Sequence, residues 1–231
     1  LAEIVLREQG PVDVLVNNAG RSIRRSVVEC KTEDLERLMA VNYLGPMTLT
    51  LGLLPAMLER CGGHVVQVST IGVQTGAPNF AAYVASKAAA DHFVRSLRLE
   101  LGGRGIDVTT VHVPLVRTPM MAPTRIYEAF PAQGVEKAAQ RIGWAVVKRP
   151  IRVAPRWATL LEVVHAVAPG LLQWVFTRCH EPSHRTMARR FDLLHCHTAR
   201  THSLAAAVGP LLCRPMVVTR RVDFEPPRTW F

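Results

Sequence analysis

The chain has 231 residues, 48% hydrophobic and 20% charged, a composition that excludes intrinsic disorder and leaves length for one large domain or two small ones. Its net charge of +10 is uneven: residues 1–140 carry 14 Lys and Arg against 13 Asp and Glu, and residues 141–231 carry 14 against 5. No aromatic-interleaved basic motif or zinc-finger spacing accompanies that charge, which sets nucleic acid aside, and five cysteines without a C-x-x-C pair argue for a reduced, cytoplasmic setting.

Residues 1–9 carry an amphipathic helical pattern rather than a secretory leader, and Gly10-Pro11 breaks it. Val12 to Val16, apolar apart from Asp13, predicts a strand buried on both faces, and Asn17-Asn18-Ala19-Gly20 turns away from its end. Arg21, Arg24 and Arg25 follow, either as a solvated loop or as contacts for a phosphate. Thr32-Glu33-Asp34 reads as a helix cap followed by acids in the first turn, and the helix carries Leu35, Leu38, Met39 and Asn42 towards one side. Residues 47–58 continue as a strongly apolar helix. Gly62-Gly63 leads into a strand, His64 to Val68, with Ser69 at its carboxyl end. A loop over residues 72–82 precedes a helix opening at Tyr83, with small residues at Ala85, Ser86, Ala88, Ala89 and Ala90 for close packing. Residues 106–113 alternate as the next strand, with His112 as a core or strand-end histidine; 135–139 begin another helix and 151–154 form the last strand.

The chemistry concentrates at Tyr83-Val84-Ala85-Ser86-Lys87. Four-residue spacing on a helix puts the phenol and the ammonium one turn apart on one face, where the cation favours the phenolate and lowers the tyrosine pKa. Such a tyrosine is a general acid or base for a carbonyl or an alcohol. Ser69 ends its strand where open α/β sheets place their ligands.

The order Asn17-Asn18-Ala19-Gly20, Asn42, Ser69, Tyr83, Lys87 and Pro114-Leu115-Val116-Arg117-Thr118-Pro119-Met120 resembles the short-chain dehydrogenase/reductase family. The resemblance runs from residue 1 to about residue 178. It implies a Rossmann-like, doubly wound parallel α/β sheet. It also implies an oxidoreductase that passes hydride between NAD or NADP and a small-molecule carbonyl or alcohol. Tyr83 would move the proton, Ser69 would hold the substrate oxygen, and Lys87 would tune Tyr83 and hold the ribose. Asn42 would anchor a water of the proton relay. Asn17, Ala19, Gly20, Val116 and Thr118, with Tyr83 and Lys87, would line the cofactor. Relatives have Pro-Gly where this chain has Pro114-Leu115. Met120, Met121 and the residues to Phe130 would form an apolar substrate lid, pointing to a hydrophobic substrate. Residues 47–58 occupy a position where relatives build a subunit interface, so a homo-oligomer is implied.

The family's glycine-rich turn, T-G-x-x-x-G-x-G, has no counterpart before Asn17, and the chain does not begin with methionine. The resemblance therefore implies an N-terminally truncated sheet, with an unpaired edge on the strand at residues 12–16. Residues 156–177 are apolar but contain Glu162, His165, Pro169 and Gln173, which argues for two short helices rather than a membrane span. These helices resemble a C-terminal extension of reductases with lipid-like substrates, and read either as a substrate cap or as a peripheral membrane contact.

After Cys179 the character changes. Phe191-Asp192-Leu193-Leu194-His195-Cys196-His197-Thr198 reads as a strand, 199–212 as a helix and Pro215-Met216-Val217-Val218-Thr219 as a second strand. This short α/β segment, residues 190–231, resembles part of the N-terminal domain of GT4-type glycosyltransferases. The expected organisation is 1–155 reductase core, 156–180 helical extension and 181–231 glycosyltransferase-like segment. A glycosyl-transfer fragment and a non-catalytic membrane- or partner-binding remnant are the alternatives. The histidines and cysteines around 179–202 lack paired metal-ligand spacing, so no metal is expected.

Overall fold

A computed structural model describes residues 1–118, 120, 132–180, 194–196 and 216–218. The chain divides into two compact units, Leu1–His180 and Glu181–Phe231.

The first unit is built on four parallel strands in the order β1 (Val14–Asn17), β2 (Gly63–Thr70), β3 (Ile106–Val113) and β4 (Arg152–Val153). Its helices are α1 (Ala2–Gln9), α2 (Thr32–Met39), α3 (Gly45–Glu59), α4 (Gly72–Thr75), α5 (Ala81–Leu101), α6 (Val135–Lys148), α7 (Arg156–Val167) and α8 (Pro169–His180). One sheet face sends Val65, Ile106 and Val108 against Met57 of α3 and Val94 and Leu97 of α5. The other sends Val66, Val68, Val111 and Val113 against Ala138 and Ala145 of α6. Helices on both faces make a doubly wound α/β layer, and cover on both faces is why β2 and β3 bury polar residues such as His64, Gln67 and Thr109 along with their valines. Gly105 turns the chain into β3 at φ +80°, and a Cβ there would fall 2.1 Å from the Cys61 carbonyl oxygen. Glycine alone fits.

β1 is less covered than its composition predicts. Val16 remains 38% exposed, and among the described residues β1 pairs only with β2. The helix start also shifts by one residue: Lys31 takes the cap position, and its N–H donates to the Asp34 carboxylate at 3.3 Å. Arg25 holds the same carboxylate at 3.1 Å, which ties the arginine-rich loop to the helix.

From Thr32 to Glu59 the chain is one helical run, long and apolar enough by length and composition to cross a membrane. Here Leu38, Asn42, Met47, Leu53 and Met57 of that run are buried in the protein, so it serves as a core helix. Between α2 and α3 the run widens over Ala40–Leu44, where the Gly45 N–H donates to the Ala40 carbonyl. Such a widened turn breaks the regular ladder and occurs often at functional sites.

In the second unit, β5 (Leu194–Cys196) and β6 (Met216–Val218) pair in parallel, at the positions where strands are expected. The helix expected over 199–212, the lid over 121–130, and His184, His197 and His202 lie outside the described residues. Among the described residues no group of three or more metal-ligating side chains converges.

Candidate active site

The carboxyl end of β2 and the first turns of α5 meet above the sheet. Lys87 is buried, and its ammonium donates to the Val68 carbonyl oxygen at 3.2 Å. Burial disfavours its charge and pulls its pKa down from 10.5 to about 8. Tyr83, one turn earlier, is half-buried; burial raises the pKa of its phenol above 10.0, and the Thr70 hydroxyl partly offsets the rise. The spacing predicted a phenol acidified by Lys87. In the structure burial is the largest influence on both groups, and the Lys87 ammonium donates to Val68.

The hydroxyl that acts on the Tyr83 phenol is Thr70's, not Ser69's. Successive strand residues point to opposite faces. Ser69 is buried, pairs in register with His112 of β3, and turns its hydroxyl towards Asp91 of α5. Its Oγ makes no hydrogen bond within 3.5 Å, although its proximity helps hold the Asp91 carboxyl down. The His112 Nε2 lies 3.4 Å from the same carboxylate, as befits a paired core histidine. Thr70 ends the strand beside the tyrosine, and its Oγ accepts the Gly72 N–H at 3.3 Å. Ser69 thus lies in a buried polar cluster, while Thr70 is the hydroxyl beside the Tyr83 phenol. The sequence carried no face signal here, because a strand buried on both sides has no apolar–polar alternation.

Asn42 is fully buried at the widened turn. Its Oδ1 accepts the Arg21 N–H at 2.8 Å, and its Nδ2 donates to the Arg21 carbonyl at 2.8 Å and to the Ser86 hydroxyl at 2.9 Å. Ser86 in turn donates to the Tyr83 carbonyl at 2.7 Å. One amide thus fastens the loop after β1 to the first turn of α5. Asn17 is buried and donates to Thr50 at 3.0 Å, so its side chain braces α3, while Ala19 is exposed and Gly20 half-buried. A Cβ at Gly20 would stand 3.0 Å from Lys87 Nζ and 3.4 Å from Asn42 Oδ1.

Val116 and Thr118 follow β3. Val116 forms an isolated parallel bridge to Gln133, and the backbone of Gln133 bonds Leu115 at 2.9 Å and Arg117 at 3.0 Å. Behind α4, Gln74 donates to Glu162 of α7 at 3.0 Å, and Arg152 of β4 pairs with the same carboxylate. Arg152 and Gln74 hold the Glu162 pKa down against the opposing effect of its burial. No local pattern could have disclosed that tie across 88 positions.

The model of the family described as "short chain dehydrogenase" matches residues 1–128. A fatty acyl-CoA reductase from Acinetobacter baylyi is 46% identical over 173 residues, covering 74% of this chain and 59% of the relative. A fatty acyl-CoA reductase from Mycobacterium tuberculosis is 43% identical over 184 residues, covering 78% and 63%. The chain thus spans about six-tenths of the length of these two relatives. Among solved structures, a short-chain dehydrogenase from Streptomyces avermitilis superposes with a TM-score of 0.63 at 32% identity, over 78% of this chain and 76% of that one. All of these are dehydrogenases or reductases, and the glycosyltransferase resemblance of residues 190–231 finds no counterpart among them. With the parallel sheet, the tyrosine–lysine pair on α5 and these matches together, the chain belongs to the short-chain dehydrogenase/reductase family, a family of oxidoreductases.

Proposed function

We propose that this protein reduces a carbonyl group on a hydrophobic, lipid-like substrate with a nicotinamide dinucleotide, NAD or NADP, using Tyr83 as the proton donor. The observation that carries the reading is the meeting of Tyr83, Thr70 and Lys87 at the carboxyl end of β2. A phenol whose pKa burial raises stays protonated near neutrality, which suits it to give a proton to a carbonyl oxygen. The Thr70 hydroxyl donates a hydrogen bond to that oxygen as negative charge gathers on it. Lys87, charged below about pH 8, stabilises the phenolate that remains.

Gly20 presents bare backbone beside Lys87, where any side chain would press on the ammonium. Ala19, Gly20, Val116 and Thr118 would line the cofactor, Asn17 would brace the turn beneath it, and Lys87 and Tyr83 would reach the ribose. The bound dinucleotide supplies the hydride that reaches the carbonyl carbon. Asn42 holds the loop and α5 together beneath these groups.

Support for a lipid-like substrate comes from the two relatives named as fatty acyl-CoA reductases. Leu44, Leu51 and Leu99 are exposed on α5 and on the helical run leading through α3, which supports a homo-oligomer. We assign residues 1–155 to the reductase core, 156–180 to a helical extension and 181–231 to a separate segment, in a cytoplasmic enzyme peripheral to a membrane. Oxidation of reduced nicotinamide in the presence of dodecanal or lauroyl-CoA tests the reading. Turnover that Tyr83→Phe abolishes supports it, and turnover that survives the substitution refutes it.

A further inference from the structure

The two helices after β4 present their apolar side outward. α7 buries Ala158 and bonds Glu162 inward to Gln74 and Arg152, which fixes its rotation on the core. With that side anchored, Trp157, Leu160, Val163 and Val167 form a stripe on the opposite side, Leu160 at 63% and Val167 at 80% exposure. On α8, Leu171 and Val175 recur at helical spacing and are also exposed. A helix normally turns such a stripe to the core. Here the stripe faces out.

We propose that the outward face of α7 and α8 docks onto an anionic lipid surface. Each helix has 12 residues, about 18 Å of length against the roughly 30 Å of a bilayer core, and so is too short to cross it. The pair is bent by 118°, so the two do not combine into one straight span. Short helices with an apolar face instead lie in the headgroup plane, and exposed tryptophans suit that interface. Charge points the same way. Residues 132–180 contain seven Lys and Arg against two Glu. One Glu is already held by Arg152, and Lys137, Arg141, Lys148 and Arg156 form no ion pair among the described residues. An apolar face within a basic segment matches anionic headgroups over acyl chains. A second copy of this chain would bring the same positive charge against itself. The inference rests on the peripheral membrane placement proposed above and names its surface, while carbonyl turnover tests the chemistry separately.

Sedimentation of the whole chain with vesicles of mixed phosphatidylglycerol and phosphatidylcholine tests it, with Leu160→Ser and Val167→Ser combined as the variant. Both substitutions leave the net charge unchanged and remove only exposed side chains, and circular dichroism verifies that the fold is kept. The chain should bind the mixed vesicles, release from them in high salt, and bind at least about tenfold more weakly when both side chains are cut back. Binding that the double variant leaves intact would overturn the proposal, because the basic charge alone would then account for it. Absence of binding to the mixed vesicles overturns it too. So does a concentration-dependent dimer in analytical ultracentrifugation that the same substitutions dissolve, since a second copy would then cover this face.

Discussion

The start of α5 and the outer side of α7–α8 break opposite rules of protein architecture. At α5 a lysine lies buried, its charge opposed by the loss of water. At α7–α8 large apolar side chains stand in solvent. Each arrangement costs stability when viewed alone, the first through desolvation and the second through unburied hydrophobic surface. Both are held by polar ties to the stretch that runs from β2 into α4: Lys87 donates to Val68, and Glu162 accepts from Gln74. The difference separates two functions. Buried charge belongs to chemistry, and exposed apolar surface belongs to contact with something outside the chain.

The largest expected effect breaks the chemical half of this contrast and leaves the other half alone. Tyr83→Phe should lower turnover by about a thousandfold, because general acid catalysis contributes on the order of 10²–10⁴. Vesicle binding of the same variant should be unchanged. Lys87→Met sharpens the account of buried charge. A lysine pKa lowered from 10.5 to about 8 means that the unfolded chain holds its proton more tightly than the folded one does. The penalty is full below about pH 8 and fades as pH rises from about 8 to 10.5. Methionine at that position should therefore raise stability at pH 7 by up to about 3 kcal/mol while abolishing turnover. Chemical denaturation at pH 7 and again near pH 10 checks the sign, since the gain should shrink at the higher pH.

The same group predicts the pH profile of reduction. Loss of the Lys87 proton above about pH 8 should lower the rate about tenfold per pH unit beyond that point, and Thr70→Ser should keep the same limb. The smallest effect concerns the brace. Asn42→Ala strands the Arg21 backbone groups and the Ser86 hydroxyl, at a cost of about 1–3 kcal/mol in stability. A denaturation midpoint that does not move would remove Asn42 from its bracing role.

Much of this was legible in the chain. β2 and β3 were marked by their valine-rich stretches, and the four-residue spacing of Tyr83 and Lys87 places them on one face of α5. The outer stripe on α7 follows from helical period, but its direction does not. Buried Ala158 and the long-range ties of Glu162 to Gln74 and Arg152 say which side is inward. The widened turn at Asn42 leaves no trace in composition. The exchange of Ser69 for Thr70 has the plainest cause. Two adjacent hydroxyls at the end of a strand go to opposite faces, and a strand without alternation does not reveal which face carries the tyrosine.

That pair of hydroxyls provides the most direct test. Thr70→Ala and Ser69→Ala should be compared by kcat/KM for carbonyl reduction, with circular dichroism to verify that both remain folded. A substrate-oxygen donor is worth about 10²–10³ in rate, so Thr70→Ala should lose about a hundredfold or more. Ser69→Ala should lose less than about tenfold, because that side chain faces Asp91 and His112 away from the phenol. The reverse order, with Ser69 essential and Thr70 dispensable, would contradict the placement of the reacting oxygen beside Thr70 and Tyr83.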